Sequence, residues 1–179
     1  MRMWSTDNPH IFIETPLHAQ KIGVWMAVSR RRIIGPTFFN FTVNAERYRN
    51  IFLTEFVQQL DDDELQYGYF QQDGATAHTT RENLAFLREF FDDRLISLHT
   101  EVEFPPRSPC LTIMDYFIFP YLKNKIFANP IHNLQELQQR IVQQCATITP
   151  EMLQNAFHSM RRRVNLCIEQ NGGHFQQLL

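Results

Sequence analysis

Two apolar runs flank the basic triplet Arg30–Arg32, and they restrict the fold more than any other feature of the 179 residues. Lys21–Ser29 (Lys-Ile-Gly-Val-Trp-Met-Ala-Val-Ser) is nearly all apolar and rich in β-formers, the pattern of a strand buried on both faces. Ile33–Val43 returns as its antiparallel partner, with Arg30–Arg32 as the turn between them. Gly35-Pro36 inside the second run predicts a bulge or an edge position, because proline has no N–H to give to a ladder. A strand with no wet face must be covered by other layers. The sequence therefore predicts an α/β or α+β layered domain.

Helical signals follow. Asn44 caps a helix over residues 45–60 with Tyr48, Phe52, Phe56 and Leu60 at i+4 spacing. The acidic run Asp61–Glu64 ends it and reads as a solvated linker. Tyr67–Gln72 is the next strand, closed by Asp73-Gly74. Thr79-Thr80-Arg81-Glu82 reads as a capping box opening a helix with Leu84, Leu87 and Phe91 on one face, and Arg94–Leu98 is a short strand. The C-terminal third is helical, with one helix starting about Thr112, one at Asn133 and one at Thr149-Pro150. Ile11–Glu14 is a further short strand candidate. One domain over 1–179 accommodates all of this.

Composition limits function. With 44% hydrophobic and 20% charged residues the chain is globular, and its sixteen phenylalanines predict an aromatic core. A net charge of −2 excludes a strongly basic body, so any nucleic-acid contact must be local. Arg30, Arg31 and Arg32, and Arg161, Arg162 and Arg163, are the dense positive spots; each run is a solvated edge or a phosphate contact. Cys110, Cys145 and Cys167 show no close pairing, which argues against a disulfide framework or zinc knuckle and suits a reducing compartment. No apolar run approaches the roughly 18 residues that span a bilayer.

Two acids stand at element edges: Asp73 at a strand end and Asp115 in the first turn of a helix. Each has an ordinary local explanation, a turn dipeptide for Asp73-Gly74 and a cap for Thr112-x-x-Asp115. Together they are what Mg²⁺ asks for, one or two carboxylates with water and phosphate completing the shell.

The strings around them carry more. Phe-Gln-Gln-Asp-Gly-Ala-x-x-His at 70–78 and Pro-Pro-Arg-Ser-Pro-x-Leu-Thr-x-x-Asp at 105–115 resemble the mariner/Tc1 family of DNA transposases. So do Ile22–Ser29, Arg32–Phe39 and Arg161–Leu179, in the same order. The resemblance implies an RNase H-like fold, a mixed sheet flanked by helices, with Asp73 and Asp115 as the second and third acids of a catalytic, Mg²⁺- or Mn²⁺-binding triad. It makes His78 a supporting or turn residue and implies DNA as partner, a possible homodimer and a nuclear setting. Arg107, inside the loop motif, joins the two Arg runs as a nucleic-acid candidate. In the family the first acid lies on a first strand that precedes the segment matching Arg2–Trp4. That strand and the N-terminal helix-turn-helix domains are therefore expected to be missing, Asp7 is no substitute, and the chain is expected to be inactive by itself. The alternative is a non-catalytic nucleic-acid-binding or protein-interaction module. Cys110, Ile113 and Phe119-Pro120 depart from the family pattern around the third acid, and Pro120 predicts a kink just after Asp115.

Overall fold

The computed structural model describes residues 22–179. The Arg2–Trp4 segment, Asp7 and the Ile11–Glu14 strand candidate lie outside the described residues.

The apolar pair forms as its sequence demands. β1 (Gly23–Val28) and β2 (Ile33–Phe39) are antiparallel, and the register slips between Trp25 and Ala27, where Gly35 and Pro36 together oppose Met26. Gly35 has φ +99, and a Cβ there would sit 3.0 Å from the Trp25 carbonyl oxygen. Both the backbone region and the close approach call for glycine.

The hairpin is covered on both faces. Met26, with Val24, Val28, Ile33 and Phe38, packs on α5 (Phe119–Ile126), α6 (Leu134–Ala146) and α7 (Pro150–Glu169) through Leu122, Ile126, Ile141 and Leu153. Trp25, Ala27 and Ile34 face the other way, onto Tyr48, Phe52, Phe56, Phe70, Leu87 and Phe91. Alternate residues of one strand thus feed two separate cores, which is why the run is apolar throughout.

The segment expected as one helix over 45–60 is a short α turn, α1 (Ala45–Arg47), a π turn (Tyr48–Leu53) and α2 (Thr54–Val57). Asn44 caps it, accepting from the Arg47 N–H at 2.8 Å. The acidic run is not a linker. Asp61 caps α3 (Asp62–Tyr67) in a reciprocal box with Glu64. The same acids take up the turn arginines: Arg31 lies 3.3 Å from Asp61, and Arg32 pairs with Glu64 while donating to the Gln59 carbonyl at 2.6 Å. Two runs of opposite charge, far apart in sequence, answer each other. Because Tyr67 belongs to α3, the following strand shortens to β3 (Phe70–Gln71).

β3 pairs in parallel with β4 (Leu95–Ser97), and β4 with β5 (Val102–Glu103). α4 (Arg81–Phe91) crosses between β3 and β4, burying Leu84, Leu87 and Phe91 as its spacing predicts. Its cap is Thr80 rather than Thr79: the Thr80 hydroxyl accepts from the Asn83 N–H, so the helix begins one residue later than the capping-box reading. No helix among the described residues is long and apolar enough to cross a membrane.

The expected helix from Thr112 also differs. A 3-10 turn (Pro109–Leu111) leads into a π turn (Met114–Ile118), and only then does α5 begin. The Phe119 N–H reaches back five residues to the Met114 carbonyl. That extra residue puts Pro120 in the first turn of the α-helical part, where its missing N–H costs little. A widened turn carrying Asp115 thus precedes α5.

Candidate metal centre

Two consecutive stretches, Val24–Ser29 along β1 and Gly68–Asp73 around β3, line one cavity of about 500 Å³. Asp73, His78, Thr112 and Asp115 share its wall. Asp73 and Asp115, distant in sequence, therefore line the same cavity.

The chain fastens the two acids to each other's elements. Gln71, on β3, donates from Nε2 to the Leu111 carbonyl at 3.0 Å, tying the strand before Asp73 to the loop before Asp115. On the far side, Tyr116 donates its hydroxyl to the Ala156 carbonyl of α7 at 2.7 Å. Burial pushes that phenol up to about 12, so it stays a donor at neutral pH. Arg163 donates to the Cys110 carbonyl at 3.3 Å and holds its guanidinium 4.1 Å from the centre of the Tyr116 ring. The π turn with Asp115 is thus clamped from α7.

Asp73 is held by its own turn. The Ala75 N–H donates to its Oδ1 at 3.1 Å, and His78 Nδ1 lies 2.6 Å from the same oxygen. Both contacts fall on Oδ1 and leave Oδ2 for another partner. The His78 hydrogen bond is the main reason this carboxyl stays below the ordinary aspartate range; partial burial opposes it and the Ala75 N–H helps. Beneath lies a polar network with no sequence motif of its own beyond the Gln-Gln pair. Gln72 accepts from the Tyr48 hydroxyl at 2.9 Å and donates to Ser97 Oγ at 3.0 Å and the His78 carbonyl at 3.2 Å. Tyr48 in turn sets its ring 4.2 Å from that of His78.

Asp115 behaves oppositely. Its carboxyl is raised above the ordinary range by desolvation first and the Asp73 charge second, with Thr112 and Lys123 acting the other way. A raised carboxyl favours the folded state most below its unfolded pKa, and that benefit is lost as pH rises through the folded value. At neutral pH the ionised pair is therefore a small penalty that a cation would remove. Asp115→Asn is expected to stabilise the cation-free protein at pH 7 by less than about 1 kcal/mol, given how exposed the group is. The same variant should lose the thermal stabilisation that millimolar Mn²⁺ confers on the parent. Paired melting curves with and without Mn²⁺ check both, and an unchanged Mn²⁺ shift in the variant would remove Asp115 from the site.

Among the described residues no group of three or more His, Cys, Asp or Glu side chains is placed to hold a metal ion. Two carboxylates, one of them raised by desolvation and then by the other's charge, nonetheless fit a hard cation that fills the rest of its shell with water and phosphate oxygen. His78 is engaged with Asp73 through Nδ1. Of the arginines, Arg31 and Arg32 are paired with acids, Arg162 donates to the Leu178 carbonyl at 3.1 Å, Arg163 supports Tyr116, and Arg107 is exposed on its loop with φ 56. Arg30 and Arg161 line a separate pocket.

The architecture has solved counterparts. The Mos1 transposase catalytic domain with raltegravir and Mg superimposes with a TM-score of 0.71 at 20% identity, over 87% of this chain and 76% of that one. The fold is that of the Mos1 catalytic domain. The same domain with raltegravir and Mn gives 0.70. In the Mos1 strand transfer complex the TM-score is 0.70 at 18% identity, and the match takes in 98% of this chain but 51% of the Mos1 chain. At the level of sequence, neither a protein-family model nor a curated protein matches this chain. The Mos1 likeness therefore rests on the mixed α/β, RNase H-like architecture rather than on sequence identity.

Proposed function

We propose that this chain is a catalytic domain of the mariner transposase type, in which Asp73 and Asp115 hold Mg²⁺ or Mn²⁺ for phosphodiester cleavage and strand transfer in DNA. The observation that carries the reading is that both acids line one cavity, each delivered by a different element, with the Asp115 carboxyl raised by desolvation first and by the Asp73 charge second. The Mos1 domain structures with Mg and Mn support a divalent cation, and the Mos1 DNA complexes support DNA as substrate. Bound there, the cation would supply Lewis-acid stabilisation of the phosphodiester. The chain's own part is to keep Asp73 ionised through His78 and to hold Asp115 in place through Tyr116 and Arg163. A nuclear setting and a homodimer belong to the same reading.

In this reading the described residues supply two of the triad's three acids. β1 has only β2 as a partner and β3 only β4 among the described residues, while both line the same cavity along their length. One more strand between them, bringing the first acid toward Asp73, suits that arrangement. From residues 22–179 by themselves the reading expects cation binding without strand cleavage.

Titration calorimetry with Mn²⁺ tests it, on the parent chain and on Asp73→Ala and Asp115→Ala. Specific binding in the parent that is lost in both variants is the expected result. No binding, or variants that bind like the parent, would sink the metal reading. The second reading, a transposase-derived nucleic-acid-binding module without catalysis, would then stand; it is favoured by the pocket that joins Arg30 to Arg161.

A further inference from the structure

We propose that the pocket between the β1–β2 turn and α7 is a binding site for a phosphate-type oxyanion, formed by Arg30, His158 and Arg161. The pocket encloses about 390 Å³ and is completed by Gln154, Asn155 and Phe157. The inference deepens the nucleic-acid part of the proposed function and is independent of the two acids.

Arg30 stands at the tip of a turn that is held from both ends. The Ser29 N–H donates to the Arg32 carbonyl at 2.9 Å, and the Arg31 and Arg32 N–H groups donate to Ser29 Oγ at 3.2 Å. The side chains of Arg31 and Arg32 anchor the same turn to Asp61 and Glu64. Opposite, Gln154, His158 and Arg161 fall at i, i+4 and i+7 of α7 and so share one face. Phe157 packs into the core beneath, which fixes that face.

Charge decides the ligand. No carboxylate lines the pocket, although the chain as a whole is acidic. Among the described residues neither Arg30 nor Arg161 has an acid partner, whereas Arg31 and Arg32 do. Two guanidinium groups facing one cavity repel each other, and an anion between them removes that repulsion. Planar N–H forks match the paired oxygens of a phosphate or phosphodiester better than any neutral group, and the two amide side chains add further donors. A backbone phosphate of DNA and a free phosphate share this chemistry.

The test uses the whole chain in EDTA, so that the acid pair plays no part. Fluorescence anisotropy follows a labelled 20-base-pair duplex, and calorimetry follows inorganic phosphate, each with the parent, the double variant Arg30→Ala/Arg161→Ala, His158→Ala and Lys125→Ala. All these side chains are exposed, so the core is untouched. The double variant is expected to bind duplex about tenfold more weakly, with the slope of log Kd against log salt reduced by about two. Inorganic phosphate should compete in the parent, His158→Ala should weaken binding, and Lys125→Ala should leave affinity and slope unchanged. Phosphate binding that needs both arginines without duplex binding would keep the site and assign it to a small anion. A double variant that matches the parent for both ligands would overturn the proposal. Neither result bears on Mn²⁺ binding by Asp73 and Asp115, so the two readings fail separately.

Discussion

Replacing Phe52 by alanine is expected to remove about 3–5 kcal/mol of folding stability, the range for deleting a large aromatic from a closed core. Phe52 is 1% exposed and lies in the last part of the π turn Tyr48–Leu53. Its ring lies nearly parallel to Trp25 at 5.6 Å and packs on Phe39 at 5.1 Å, so it joins the hairpin to the helical segment that covers it. Leu53 beside it is also fully buried, so the neighbours have little freedom to close the cavity. Urea unfolding followed by tryptophan fluorescence and by circular dichroism reads the loss. A change under about 1 kcal/mol would mean that this cluster is not the main core on that face of the hairpin.

Gln72→Leu is expected to cost about 3 kcal/mol and to weaken Mn²⁺ binding about tenfold. The leucine has nearly the same volume, so the loss comes from hydrogen bonds rather than packing. It leaves the buried Ser97 hydroxyl, the buried Tyr48 hydroxyl and the His78 carbonyl without the partner each now has. Unpaired buried groups cost more than the net worth of the bonds they made. The effect on Mn²⁺ follows from the order of contacts: Gln72 fixes Tyr48 and the backbone of His78, and His78 fixes Oδ1 of Asp73. Unfolding curves and Mn²⁺ calorimetry separate the two consequences. Lost stability with unchanged Mn²⁺ affinity would make the network purely structural.

Phe52 and Gln72 also mark how far the residues alone can be read. Phe52 belongs to an i+4 aromatic stripe, and its burial follows from spacing. The π turn that carries it does not, because one inserted residue leaves the apolar stripe nearly intact while it shifts the backbone ladder by one carbonyl. The same device moves Pro120 into a harmless position and widens the turn at Asp115. Gln72 reads as an alternate residue of a strand, and only its three partners, from three other elements, give it a role.

Local chemistry was thus sufficient for the hairpin, its Gly35-Pro36 bulge, the caps at Asn44, Asn133 and Thr149, and the inward faces of α4, α6 and α7. Each depends on neighbours within a turn or two, and the sequence by itself determined them. It also singled out Asp73 and Asp115, through the short strings around them. Whether those acids line one cavity, which arginines answer Asp61–Glu64 and that Arg30 lies opposite Arg161 were decided only by tertiary structure. Charge pairing and pocket formation depend on distances between elements far apart in the chain, and no local pattern encodes those distances.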